Sequence, residues 1–347
     1  MYGLQIEEVN LFDKEEVKKV GEFLKDFELN YEQDIDYTLV AKNGEEIVGT
    51  CSKAKNILKC FAIAPKLRGE GLTATLITSL INKLFEQGIY HSFIFTKPSN
   101  KDIFTSLNYK VLYEAEEAIL LESGIYDINS YLDKLIKKEN IDVNTSKAAL
   151  VMNCNPFTEG HKYLIEKASE TSEEVLVFMV EEDKSLFPFN TRYQLVKEGV
   201  KHLSNVKVIR GGEYIISSAT FPSYFLRKED ERLRAYTKID AGIFGKYFCS
   251  KLNIKKRLVG EEPYCNVTNA YNEALKKELI KYGVELIIIE RKIKDELAIS
   301  ASRVRNLIKE GSLDKIKLLV PKVTWDFLNT PEGKEIVEKI KQSNSPH

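Results

Sequence analysis

The chain has 347 residues, 43% hydrophobic and 30% charged, and its 51 Lys and Arg against 52 Asp and Glu leave a formal net charge of -1. That length favours two domains over one, and the near-neutral balance lacks the basic excess with which nucleic-acid binders neutralise phosphates. No apolar run approaches the roughly 18 residues that span a bilayer, so neither nucleic acid nor membrane is expected as a partner.

From the start of the chain, Glu15 to Phe27 carries Val17, Val20, Phe23, Leu24 and Phe27 on one face, which predicts a helix. Tyr37 to Thr50 reads as two strands joined at Asn43-Gly44, a strong hairpin signal. A strand over Ile57–Ala64 enters Pro65-Lys-Leu-Arg-Gly-Glu-Gly71, and an apolar helix follows from Leu72 to Gln87. A further strand, His91–Thr96, precedes Asn100–Leu107. Asp127–Asn140 is a charged helix with Ile128, Tyr131, Leu132 and Leu135 as its apolar stripe, and the polar stretch Glu139–Ser146 marks a domain boundary.

This order, with Arg68-Gly69-Glu70-Gly71-Leu72-Thr73 between strand and helix, resembles the GNAT acetyltransferase fold. A Gly-rich loop at a helix start lets the backbone approach phosphates closely. The resemblance implies that Arg68, Gly69 and Gly71 hold the pyrophosphate of a CoA-like group. The ending Phe104-Thr-Ser-Leu-Asn-Tyr-Lys-Val111 is also similar to that family's pattern, with Asn108 where Gly is usual. Thr73 stands where the family has Gly or Ala. No residue stands out as its general base or acid, although Glu70, Tyr109 and Tyr113 are available. The plainer alternative is a turn whose glycines only shape the chain.

After Lys147 strand and helix patterns alternate. Strand-like runs are Ala148–Asn153, Val175–Val180, Val206–Arg210, Arg257–Gly260 and Leu286–Glu290. The helical stretches are His161–Ser172, Thr191–Leu203, Ala241–Leu252, Val267–Tyr282 and Ala301–Glu310. Near-continuously apolar strands with helices between them predict a doubly wound parallel sheet. In such sheets the ligand lies beyond the C-terminal ends of the strands. The polar segments Thr158–His161, Glu181–Phe187, Gly211–Tyr214, Glu261–Tyr264 and Arg291–Arg305 all follow strands and so share that edge. Between them, Phe221-Pro-Ser-Tyr224 lies in a long segment of low periodicity, read as a lid or a carrier-facing surface. Arg227–Arg234 is mixed in sign and reads as a solvated helix.

Lys147–Met152 runs into a Pro-bearing turn that ends in Thr158-Glu-Gly160-His161 and at once starts a helix. Backbone N–H groups and the helix dipole there favour a bound anion, and the His supplies a donor that can follow charge on a phosphoryl group. Thr158-x-Gly160-His161 is similar to the first signature of the nucleotidyltransferase α/β phosphodiesterase superfamily. Ile299-Ser-Ala-Ser-Arg-Val-Arg305 is similar to its second, with Ala301 replacing the second Ser. The phrases Asn153–His161, Glu182–Pro188, Ala219–Phe225 and Val259–Pro263 together resemble the citrate lyase ligase family, GNAT-like front included. The expected fold is α/β: a GNAT-like α+β domain over 1–126, a helix and linker over 127–146, and a doubly wound, Rossmann-like nucleotidyltransferase domain over 147–347.

What this resemblance implies is a ligase that activates acetate with ATP as acetyl-AMP, releasing pyrophosphate. The acetyl group then passes to the thiol of the citrate lyase acyl-carrier subunit, on its dephospho-CoA-derived prosthetic group. His161 is the expected catalytic donor to the α-phosphate, against the alternative of a His packed at a helix start. Thr158, Gly160, Asn155 and Phe157 form the expected ATP cradle with it. Ser300, Ser302, Arg303 and Arg305 are expected on the β,γ-phosphates, against a Ser300 N-cap with exposed arginines. Lys184 is expected to neutralise acetate or the α-phosphate, against a solvated Lys in an acidic run. Gly260 and Glu261 are expected beside adenine or ribose, against a solvated loop end. Mg²⁺ accompanies ATP, held mainly by phosphates and water, with no protein metal ligands. Five cysteines (Cys51, Cys60, Cys154, Cys249, Cys265) form no Cys-x-x-Cys pair, and the N-terminus lacks the regions of a signal peptide. A cytoplasmic location with reduced thiols is therefore expected, with Cys154 an inert apolar residue. Two other readings stay open: an adenylyltransferase making a dinucleotide or CoA-like product, and a carrier-binding regulatory module, which Thr73 and Ala301 would suit.

Overall fold

Alternating apolar strands need two covered faces, and the chain meets that need twice. The computed structural model describes residues 3–182, 185–216, 221–222, 224–226, 228–261, 266–294 and 297–343. They divide into two compact units, Met1–Tyr131 with Pro222–Ile239, and Leu132–Phe221 with Asp240–His347. Pro222–Ile239 thus groups with the first unit, a return that the linear division of the chain did not include.

The first unit is a seven-stranded sheet, ordered β1-β2-β3-β4-β5-β7-β6. Its strands are β1 (Leu4–Glu8), β2 (Tyr37–Asn43), β3 (Glu46–Ala54), β4 (Ile57–Ile63), β5 (His91–Thr96), β6 (Lys110–Glu114) and β7 (Ile119–Gly124). All neighbours are antiparallel except β4 and β5. Helix α1 (Lys14–Lys25) starts at Asp13, whose carboxylate accepts the Glu15 and Glu16 N–H groups. Helix α2 (Leu72–Glu86) buries Leu72, Leu76, Ile77, Leu80 and Leu84 in one core with Val48, Leu58 and Ile94. Helix α3 (Lys101–Thr105) is short, and α4 (Ile128–Glu139) runs across the division between the units. β1, β6 and β7 have no counterpart in the sequence reading. β1 and β6 are short edge strands with exposed positions, so their hydrophobic signal is weak.

The second unit holds a five-stranded, wholly parallel sheet ordered β10-β9-β8-β11-β12. Its strands are β8 (Lys147–Met152), β9 (Glu174–Met179), β10 (Val206–Arg210), β11 (Ile254–Gly260) and β12 (Glu285–Ile289). The helices are α5 (Glu159–Glu170), α6 (Phe189–Gly199), α7 (Glu229–Ile243), of which only the end from Asp240 belongs to this unit, the short α8 (Ser250–Leu252), α9 (Asn266–Leu279) and α10 (Ala301–Lys309). Beyond them α11 (Leu313–Ile316), α12 (Lys322–Leu328) and α13 (Pro331–Gln342) bury Ile316, Leu328, Ile336 and Ile340 against Val304 and Ile308 of α10. This doubly wound order is the expected fold class. The predicted helix over Ala241–Leu252 is instead the end of α7 followed by a π-helical stretch, Phe244–Cys249. The start of α7 was read as solvated. In the first unit its Arg234 and Lys238 reach Glu117 at 3.2 and 3.3 Å, so part of that charge docks the helix. Among the described residues no helix is long and apolar enough to cross a membrane.

Candidate active site

Winding in the parallel sheet turns outward in both directions from β8 and β11, and the crevice at their C-terminal ends is where such folds bind ligands. A cleft of about 390 Å³ lies there. Thr158, Gly160, His161, Gly260, Ser300 and Ser302 line it, all six expected from the sequence.

The turn beneath the cleft is held by a residue the sequence reading passed over. Arg192, on α6, is fully buried. Its guanidinium donates to the carbonyls of Phe187 (2.9 Å), Asn153 (2.6 Å), Val180 (3.2 Å) and Glu182 (2.8 Å), and to Asn153 Oδ1 (2.6 Å). One planar donor fork therefore ties the loop after β8 to the loop after β9. Asn153 Nδ2 donates in turn to Glu182 Oε1 (2.9 Å), and Ser185 bonds to the same oxygen. The signal that could have found Arg192 is a cation in the first turn of a helix, where the dipole disfavours it.

His161 is set by its own N-cap. Thr158 Oγ1 accepts the His161 N–H at 3.3 Å, and His161 Nδ1 accepts the Thr158 N–H at 3.1 Å, closing a capping box with His in the place usual for Glu. The Thr158 hydroxyl lies 2.9 Å from the same Nδ1. With Nδ1 an acceptor, the neutral ring carries its proton on Nε2. Burial, and then the positive charge of Arg291, push the His161 pKa down to about 4. At neutral pH the imidazole is thus uncharged, with one fixed N–H to offer.

Gly160 is required by close approach: a Cβ there would lie 2.7 Å from the Ile299 carbonyl oxygen. The two signatures, far apart in sequence, meet at that contact. Ser300 caps α10 by accepting the Arg303 N–H at 3.1 Å, so the plainer reading of Ser300 holds alongside its place in the cleft. The N-termini of α5 and α10 converge on one cleft, and Arg291 and Lys292 add two cationic side chains to its lining. Arg291 Nε donates to the Glu261 carbonyl (2.6 Å), and Lys292 pairs with Glu159 at 2.9 Å. Two helix N-termini with two cations favour a polyanion. Neither cation was singled out from the sequence, because in a run of charged residues nothing marks which face the sheet edge.

Other expected residues lie beside the cleft. Asn155 is buried, its Oδ1 accepting the Phe187 N–H at 3.1 Å. Phe157 is fully buried, packed where Gly199 leaves room: a Cβ on Gly199 would lie 2.4 Å from the ring. Arg305 is buried and donates to the Asn155 carbonyl and to Ser302 Oγ, bracing the turn from α10. Arg303 donates to the Lys294 and Leu297 carbonyls and lines a neighbouring depression of about 540 Å³ that shares Ser300 and Ser302 with the cleft. The Glu261 side chain is exposed and does not line the cleft. These five shape or border the site instead of lining it. Lys184 lies outside the described residues. Tyr271 and Asn272 of α9 line the cleft unforeseen, with the Tyr271 hydroxyl 2.9 Å from the buried Asp240. Cys154 is buried and burial raises its thiol pKa, as an inert residue requires.

Arg68, Gly69 and Gly71 belong to the first unit. Gly69 (φ +84°) and Gly71 (φ +81°) both take the left-handed conformation, and α2 starts from Gly71 with no side-chain cap. Arg68 is exposed.

Residues 147–328 match the citrate lyase ligase C-terminal domain family, and residues 5–103 match the acetyltransferase (GNAT) family. The chain is 35% identical over 335 residues to the citrate (pro-3S)-lyase ligase of Escherichia coli (strain K12), covering 94% of this chain and 95% of that one. It is 34% identical over 323 residues to the protein of the same name from Klebsiella pneumoniae, covering 92% and 94%. A shorter match, 35% identical over 68 residues, covers 19% of this chain and 42% of the phosphopantetheine adenylyltransferase of Finegoldia magna.

Proposed function

This chain belongs to the citrate lyase ligase family, enzymes of the ligase class, and from that premise we propose that it activates acetate with ATP and acetylates the citrate lyase acyl carrier. An acetate oxygen attacks the α-phosphorus; the new O–P bond forms as the bond to the β-phosphate oxygen breaks, giving acetyl-AMP and pyrophosphate. The carrier's prosthetic-group thiolate then attacks the acetyl carbon. The C–S bond forms, AMP leaves with the electron pair of the broken C–O bond, and the thiol proton passes to solvent.

The observation that carries this reading is the Thr158–His161 lock. Because Nδ1 is committed as an acceptor, Nε2–H is a donor fixed before any ligand arrives, and a donor that need not reorganise stabilises charge developing on the α-phosphate. Arg291, Lys292 and the N-termini of α5 and α10 offset the remaining phosphate charge. Mg²⁺ would enter with ATP, held mainly by the phosphates and water, and would offset part of their charge. Lys184 remains a proposed partner for acetate or the α-phosphate. The Arg68–Gly71 loop is proposed to hold the CoA-like prosthetic group.

Acetate-dependent ATP–pyrophosphate exchange tests the proposal. Exchange should require acetate, and His161→Ala should slow it by about 10²–10³-fold, the range for one lost transition-state donor. Undiminished exchange in a folded His161→Ala would remove His161 from the mechanism. The short match to a phosphopantetheine adenylyltransferase favours a second reading, an adenylyltransferase. Exchange driven by 4′-phosphopantetheine and indifferent to acetate would establish that reading instead.

A further inference from the structure

Away from its cationic residues, the cleft of the second unit has an apolar part. Leu258, Val259 and Ile289, at the C-terminal ends of β11 and β12, line it together with Tyr271 and Asn272 of α9. Apolar walls with a few placed polar atoms suit a flat, uncharged ring system.

Both polar residues of this part direct their protons away from a ligand. The Tyr271 hydroxyl lies 2.9 Å from Asp240 Oδ2, and a carboxylate can only accept, so the phenol is the donor. The Asn272 amide nitrogen faces the Gly260 carbonyl at 3.5 Å. A carbonyl also only accepts, which fixes the amide with its oxygen on the other side. Asn272 is itself only 4% exposed, a buried polar side chain set in the wall of the cleft.

Asp240 is held as an acceptor by Arg257 of β11. Both are buried, Arg257 Nη2 lies 3.4 Å from Asp240 Oδ2, and its guanidinium stands over the Phe244 ring at 4.6 Å. Burial raises the Asp240 pKa, while Arg257 and then the Tyr271 hydroxyl pull it back down. A buried ion pair gains little stability over apolar residues of the same size, so folding alone does not account for this one.

We propose that the Tyr271 oxygen, with Asn272 beside it, reads the base of the nucleotide through a hydrogen-bond donor, an exocyclic amine such as that of adenine, and that Asp240 is the positioning residue that makes Tyr271 an acceptor. A base with a carbonyl in that place sets lone pairs against lone pairs and is rejected. A ribose hydroxyl can turn either way, so acceptors alone would not select it; an amine cannot. The inference rests on the nucleotide reading of the cleft and names how that nucleotide is chosen.

Isothermal titration of the full-length protein with ATP and with inosine triphosphate, in which a carbonyl replaces the amine, tests it. The unaltered protein should bind ATP about tenfold tighter or more, the scale of one hydrogen bond lost and one repulsion gained. Tyr271→Phe should weaken ATP and leave inosine triphosphate unchanged or tighter, so the ratio falls. Asp240→Asn should go further. Its amide can donate to the phenol, whose proton then turns to the cleft, and inosine triphosphate should bind tighter than it does to the unaltered protein. Where Asp240→Asn alone does not fold, Asp240→Asn with Arg257→Gln leaves no buried charge unpaired and serves in its place. Equal weakening of both nucleotides by the Asp240 variant overturns the positioning role. No preference for ATP in the unaltered protein, or a ratio unmoved by Tyr271→Phe, overturns the proposal while the adenylating reading stands. Absence of binding by either nucleotide overturns both.

Discussion

The Arg68–Leu72 junction of the first unit and the Asn153–His161 junction of the second each lead a strand into a helix through glycine. In the second, the N-cap Thr158 and His161 satisfy one another, Gly160 presses against the Ile299 backbone, and Arg192 clamps the turn from below. In the first, α2 begins at a left-handed Gly71 with no side-chain cap, and Arg68 is exposed. The difference suits the two tasks proposed for these junctions. Stabilising a transition state needs a donor held in place before reaction begins, whereas holding a mobile prosthetic group needs open backbone donors that the ligand itself completes.

Removing the clamp should have the largest effect. Arg192→Met strands four buried carbonyls and should lower the unfolding free energy of the second unit by about 3–5 kcal/mol, measured by urea denaturation. A loss near zero would mean that the turn holds itself. His161→Ala should cost about 3–4 kcal/mol of transition-state stabilisation, the equivalent of its expected rate loss, with a smaller loss of about 1 kcal/mol in urea denaturation for the missing capping bond; equal losses in both would make His161 a structural cap. Gly160→Ala should cost about 1–3 kcal/mol of stability, because a Cβ meets backbone that cannot swing away. Its counterpart Gly69→Ala meets no atom within 4 Å and should cost only about 1 kcal/mol, for its left-handed conformation. A larger cost at Gly69 than at Gly160 would reverse the contrast between the junctions.

The smallest expected effect is a flat profile. Because the His161 pKa is lowered from 6.5 to about 4, exchange should show no step as pH passes through 6.5 and should fall only towards 4. The sign for stability follows from proton binding. Below 6.5 the unfolded chain takes up the proton while the folded ring does not, so this contribution is intact above pH 6.5 and is lost as pH falls to about 4. An NMR titration of His161 with a midpoint near 6.5 would contradict the half-buried, neutral ring.

The alternation of apolar strands with helices was legible, and so was the edge where the polar loops gather, because parallel strands buried on both faces leave few other patterns. β1 and β6 escaped notice because short edge strands with one exposed face carry little periodicity. At the site, Thr158, Gly160, His161, Gly260, Ser300 and Ser302 could be named in advance. The contacts that Asn155, Phe157, Arg303 and Arg305 make within the protein could not, since a motif residue that braces a turn and one that lines a cleft occupy the same line of sequence. Arg291 and Lys292 were hidden by their charged neighbours.

What the sequence determined alone is local: strand, turn, capped helix, and the residue types a phosphate cradle needs. These depend on spacing and backbone preference within about a dozen residues. Only the tertiary structure decided which nitrogen of His161 carries the proton, that Arg192 spans two loops, and that Tyr224, in the segment read as a lid, is buried with its hydroxyl on the Phe95 carbonyl. The last two depend on contacts between residues far apart in the chain, and the first on the side-chain conformation that closes the Thr158–His161 capping box, which spacing alone does not fix.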